Sequence, residues 1–156
     1  MALNLDRMVL STKEDKKFLL TSEDEVAVRV VIAEKQGLDA IESFYYVNQP
    51  ISALKIVRAI DKDTIELADI TANDFELSRG FAITLQGGPS GSKVKVCTFG
   101  KVQDAFFNFP NGVNLFLAPN GEITTTPPPT GFLLNIGHSM GAGAIFINFK
   151  DIINRR

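Results

Sequence analysis

Gly80-Phe81-Ala82-Ile83-Thr84-Leu85, then Gln86-Gly87-Gly88-Pro89-Ser90-Gly91-Ser92, then Lys93-Val94-Lys95-Val96 is the stretch that decides the fold. The central seven residues either tolerate positive φ or fix a turn, so they connect two strands as a hairpin. The pattern recurs downstream. Ile65-Glu66-Leu67-Ala68 ahead of the first hairpin is echoed by Leu115-Phe116-Leu117-Ala118. The hairpin itself is echoed by Gly131-Phe132-Leu133-Leu134-Asn135-Ile136, a glycine-rich turn, and Ala144-Ile145-Phe146-Ile147. Each copy reads strand, loop, strand, tight turn, strand, which predicts two related β units inside one domain.

Working outward, turn signals return every eight to twelve residues, the spacing of a sandwich or barrel. Asn48-Gln49-Pro50 turns into a strand over Ile51 to Ile60, and Asp61-Lys62-Asp63 turns into Thr64 to Ala68. Val26, Val28, Val30 and Ile32 alternate and are β-branched, which favours a strand over the helix that a Ser22/Glu25 capping box would start. Met1 to Leu20 reads as a hairpin or loose arm around Lys13-Glu14-Asp15-Lys16-Lys17. Leu38 to Phe44, after Gly37, is the one modest helical candidate. The expected fold is all-β: a compact sandwich or barrel-like domain over residues 45–156, a short helix at most, and an N-terminal arm or additional β element over residues 1–44.

The 156 residues suit one domain, and a 45% apolar content with 12 Phe is ordinary for a globular chain. A net charge of −2, with scattered basic residues, makes no electrostatic case for nucleic acid or an anionic membrane as a partner. No secretory signal core and no apolar run of membrane-spanning length is present, so cytoplasmic synthesis is expected.

Gly137-His138-Ser139-Met140-Gly141 has the form of a hydrolase nucleophile elbow. An elbow serine needs a histidine and an acid later in the chain. The sole histidine is His138 itself, beside the serine, and no base is available to take the proton. In the register of the repeat, Gly137 to Gly143 replaces Gln86 to Ser92, so the motif is expected to be a loop and no catalytic residue is assigned. Cys97 is the only cysteine and reads as a small buried or half-buried hydrophobe. The acidic run Asp61, Asp63, Glu66, Asp69 and Asp74 lacks the glycine and terminal glutamate of a calcium loop, so it reads as solvated edge and turn chemistry. No metal or cofactor is expected.

Two segments carry candidate contacts. Thr124-Thr125-Thr126-Pro127-Pro128-Pro129-Thr130 lacks three backbone donors and reads as a stiff surface connection. Phe106-Phe107-Asn108-Phe109-Pro110 precedes the Asn111-Gly112 turn, and Phe106, Phe107 and Phe109 either fill the core between the β units or line a subunit interface. Tyr45, Tyr46 and the same phenylalanines are the aromatics a glycan-binding module would expose.

The succession Asn48-Gln49-Pro50-Ile51-Ser52-Ala53-Leu54-Lys55-Ile56-Val57, Leu67-Ala68-Asp69, Gly80 to Thr84, Gly91, Val94-Lys95-Val96 and Gly100-Lys101-Val102 resembles tailed-bacteriophage virion structural proteins. The continuation Leu115 to Thr124, Pro127-Pro128-Pro129, Gly131 and Ile136-Gly137 resembles the same group: capsid decoration or cement proteins and head- or tail-fibre modules. The resemblance spans about residues 45–153 and rests on the order of many small matches. It implies a non-catalytic homotrimer, made in the bacterial host cytoplasm and located in the virion. Its partners would be the major capsid protein or other virion proteins, or, for a tail-fibre or baseplate module, the host surface.

Overall fold

Lys93–Gln103 forms an 11-residue strand along which the rest of the fold is arranged. The computed structural model describes residues 40–155, within a unit that begins at Leu38. The strands in chain order are β1 (Ile41–Val47), β2 (Ile56–Ala59), β3 (Thr64–Leu67), β4 (Phe81–Thr84), β5 (Lys93–Gln103), β6 (Asn114–Leu117), β7 (Ile123–Thr124), β8 (Gly131–Leu133), β9 (Asn135–Ser139), β10 (Ala144–Asn148) and β11 (Ile153–Arg155). The helical content of the described residues is two 3₁₀ turns, Phe75–Leu77 and Pro119–Gly121. The fold is all-β.

Five strands close a barrel in the order β1, β3, β2, β4, β5 and back to β1. The β1–β3 pair is parallel and the other four are antiparallel. β5 outruns the barrel. Its first half pairs with β1 and β4, while Phe99 to Gln103 pairs with β10, which continues through β9 and β6 to β7.

This branching makes two cores from strands of period two, whose successive side chains point to opposite faces. Val47, Val57, Ile65, Ala82, Val94 and Val96, contributed by all five barrel strands, fill the barrel. Their neighbours Ile56, Ile83 and Cys97 point the other way and pack with Leu115, Leu117, Ile136, Ile145 and Ile147 of the second sheet, and with Phe75 and Phe107. β2, β4 and β5 are thus apolar on both faces, as strands between two layers must be. Each large side chain so buried contributes about 1.5–3 kcal/mol.

Four expectations are corrected. Ile41 to Phe44 is strand, not helix, because it pairs with β5 from Ile41↔Phe99 to Tyr46↔Lys93. The boundary expected at residues 44/45 therefore falls inside β1. The strand expected over Ile51 to Ile60 is only β2: Ile51 makes an isolated bridge to Gly88, and Leu54 adopts φ 63°, which breaks an extended run. Gly137 to Ser139 is strand rather than loop, since Gly137 pairs with Ile147 and Ser139 with Ile145, which leaves Met140 to Gly143 as the turn. Gly137 holds φ 144° next to an irregularity in the β6–β9 pairing, and an added Cβ would lie 1.9 Å from the Phe146 carbonyl oxygen. Only glycine fits that approach.

The repeat is not realised in the expected register: Gly131–Leu133 is β8 and pairs with β11, while the strand that forms the hairpin with β10 is β9, Asn135–Ser139. Its leading strands diverge: β3 is separated from β4 by β2, whereas β6 pairs directly with β9. The expectations for Met1 to Leu20 and for Ser22 to Ile32 fall outside the described residues. No helix among the described residues is long and apolar enough to cross a membrane.

Candidate functional site: an aromatic and charged barrel face

The side chains singled out for chemistry are held in structural roles. Ser139 is fully buried at the end of β9, where its Oγ donates to the Phe109 carbonyl at 3.2 Å and accepts from the Gly141 amide at 3.1 Å. His138, one residue earlier, is exposed and points to the other face of the strand, stacked on Phe146 at 5.4 Å between ring centroids. Among the described residues the partners of the hydroxyl are backbone groups. Cys97 is buried, its thiol 3.3 Å from the Phe99 carbonyl; burial pushes its pKa up to about 11, so the nucleophilic thiolate is suppressed at neutral pH.

The three phenylalanines named as core or interface divide. Phe107 is core at 1% exposure, Phe109 packs partly buried against the same core, and Phe106 stands 70% exposed, edge-on to Phe107. Phe107 has no free face for a partner, while Phe106 remains available to one. The proline-rich connection lies between β7 and β8, as a donor-poor segment must lie outside a ladder.

A different face of the barrel carries exposed apolar groups. On β1, Tyr45 and Val47 turn inward, which sends Phe44 and Tyr46 outward at 55% and 47% exposure. Their register partners on β5 are Lys95 and Lys93. Each ammonium sits over its partner's ring, Lys93 Nζ 5.2 Å from the Tyr46 centroid and Lys95 Nζ 5.8 Å from that of Phe44. Glu42 approaches Lys95 at 3.6 Å. Aromatic and basic groups thus alternate across two paired strands.

On the far side of β1, Tyr46 pairs with Thr64 and its amide donates to the Asp63 carbonyl, which brings the acidic β2–β3 turn alongside. Asp61 Oδ1 accepts from the Asp63 and Thr64 amides, a turn that the sequence Asp-Lys-Asp announces. The Asp63 amide, with help from Thr64, holds the Asp61 carboxyl below the usual carboxylate range. Next to this turn Arg58 of β2 donates to Glu66 at 2.8 Å and to Ser78 at 3.0 Å, and it pairs with Asp74 at 3.1 Å. Burial works against its charge. The hydrogen bonds and charges of Glu66 and Asp74 outweigh that effect and raise its pKa. Ile60 and Leu77, 47% and 66% exposed, complete a groove of about 180 Å³ around Arg58, Glu66 and Asp74.

Sequence reasoning named Tyr46 only as one possible exposed aromatic and missed Phe44, Lys93, Lys95 and the Arg58 groove. Ser43-Phe44-Tyr45-Tyr46-Val47 is aromatic or apolar at four successive positions, so the face each residue takes has no periodic signature. The chain matches no protein-family model and no curated protein.

Proposed function

We propose that this chain is a non-catalytic structural protein of a tailed-bacteriophage virion, a homotrimer that decorates the outside of the assembled shell. The observation that carries the proposal is the exposed aromatic and charged face on a closed barrel. Such a face recognises another surface by complementarity, and aromatic side chains are the enriched anchors of protein interfaces. The order of small sequence matches over residues 45–153 supports the same conclusion. So does the commitment of Ser139 and Cys97 to buried, unreactive positions. A trimer engaging a repetitive lattice gains from multivalency, so modest affinity per chain suffices for stable attachment.

The test is co-sedimentation of the purified full chain with assembled shells that lack it, together with its mass in solution. Saturable binding to shells and a mass three times the 17.1 kDa of one chain are expected. A protein that stays in the supernatant at every concentration refutes decoration of the shell. Binding to isolated tails in its place assigns the fibre or baseplate role instead.

A further inference from the structure

We propose that one end of the barrel formed by β1 to β5 is a binding site for a small aliphatic molecule. The guest seats its alkyl end in a hollow lined by Tyr45, Val57, Ala59, Ile65, Ala82 and Thr98. The inference stands apart from the virion reading, since it uses the inside of the barrel and leaves the outward Phe44 and Tyr46 free.

The period of two puts the hollow inside the barrel. Val57, Ile65 and Ala82 belong to the barrel core, and Tyr45 packs against it. Ala59, Gly80 and Thr98 stand two residues from Val57, Ala82 and Val96 and so share their inward face. Each of the five barrel strands thus contributes to the lining. The hollow exists because inward positions at this end are small: Ala59 and Ala82 offer one methyl each and Gly80 none, where a small barrel is ordinarily filled by side chains. Backbone geometry does not require the glycine. Gly80 is outside the positive-φ region, and an added Cβ would meet only the Ala59 Cβ, at an ordinary 3.4 Å.

The lining selects an apolar guest. Its backbone is committed to the sheet: Val57 pairs with Leu67 on one side and Ala82 on the other, and the Ala59 amide donates to the Gly80 carbonyl at 2.8 Å. Thr98 Oγ1 donates to the Ile41 carbonyl at 3.3 Å. Among the described residues no charged side chain lines the hollow, and no set of free polar groups converges there to hold water in place. The hollow measures about 80 Å³. An apolar cavity of roughly 150 Å³ stays dry and takes benzene, so the smaller space here suits the end of an alkyl chain and not a whole ring. The polar end of the guest stays in solvent at the mouth, where Ala59 is exposed. The mouths of β-barrels are recurrent ligand sites for the same reason: concave, apolar and already formed.

The experiment is a methyl-resolved NMR titration of the full chain with 1-propanol, 1-butanol and 1-pentanol. Saturable shifts at the methyls of Val57, Ile65 and Ala82 are expected, with affinity rising about fourfold for each added methylene until the chain fills the hollow. Ala59→Leu at the exposed rim and Ala82→Val on the inner wall each put carbon into the same space. Both are expected to raise the melting temperature, as cavity filling does, and to weaken 1-butanol binding about tenfold, the loss of roughly two methylenes of burial. Far-UV circular dichroism checks that each variant is folded, and the exposed position of Ala59 keeps the test readable if Ala82→Val does not fold. Shifts that climb without saturating overturn the site, as do shifts confined to outward residues such as Phe44 and Tyr46. So does a folded Ala59→Leu chain that binds 1-butanol as the wild type does.

Discussion

Replacing Gly137 by alanine places a methyl group where β9 and β10 leave no room for one. The backbone there holds φ 144°, a conformation that costs an L-residue about 1–3 kcal/mol. The new Cβ would stand 1.9 Å from the Phe146 oxygen, 3.0 Å from its carbonyl carbon and 3.1 Å from the Asn148 nitrogen. All three are β10 backbone, so no side chain can rotate away and the two strands must part. Parting them weakens the ladder around Gly137↔Ile147, at about 1 kcal/mol for each hydrogen bond lost, and loosens the packing of Ile136 and Ile147. The expected loss is about 4 kcal/mol, a large share of the roughly 5–15 kcal/mol that holds a domain folded. Gly143→Ala is the control: its φ is 88° but nothing lies within 4 Å of the added carbon, so only a conformational cost of about 1–2 kcal/mol remains. Urea denaturation followed by circular dichroism reads the difference, and with a slope of about 2 kcal/mol per molar the Gly137→Ala midpoint falls by about 2 M. Midpoints that agree between the two variants would refute the idea that β10 closes over Gly137.

Phe107→Ala is expected to cost about 3–5 kcal/mol, and Phe106→Ala no more than about 0.5 kcal/mol, in the same denaturation assay; equal effects would contradict the division of the two rings between core and solvent. Cys97 is expected to resist an aromatic disulfide reagent at pH 8 in the folded chain and to react fully in denaturant. Its raised pKa means that the folded state holds the thiol proton more tightly than the unfolded state. Stability from this source is therefore complete below about pH 9 and is lost as the pH rises through about 11, a slope that Cys97→Ala removes. Fast labelling of the native protein would show the thiol to be open. Ser139→Ala strands the Gly141 amide and the Phe109 carbonyl and is expected to cost about 1–3 kcal/mol. A fluorophosphonate probe is expected to leave the wild type unlabelled, and labelling that disappears in Ser139→Ala would reinstate the hydrolase.

Much of the strand content was legible because local alternation was present to be read. Lys93-Val94-Lys95-Val96 and Ala144-Ile145-Phe146-Ile147 alternate buried and open positions, and both appear as strands with that burial. β1 was not legible. Its pairing partners, Thr64 and Lys93, lie far away in sequence, and they override the weak helical tendency of Leu38 to Phe44. Gly137 misled for a related reason. A glycine signals a turn in a local reading, whereas here it serves the close approach of a neighbouring strand that local sequence does not reveal. The barrel face follows the same rule: Phe44, Tyr46 and the Arg58 groove become a surface only once β1 has been set between β3 and β5.

The strand that closes the barrel also sets the order in which it can form. β1 leaves the ribosome first among the barrel strands, yet its antiparallel partner begins only at Lys93, so closure joins segments about 50 residues apart and bears the entropy of that loop. Such non-local pairing slows folding toward the millisecond-to-second range of β-rich domains. During synthesis, at about 5–20 residues per second, several seconds pass in which Phe44 and Tyr46 have emerged and β5 has not. For that interval β1 has only its short parallel pairing with β3, its β5 edge stays open, and crowded expression would favour pairing of that edge with the nascent strand of a neighbour.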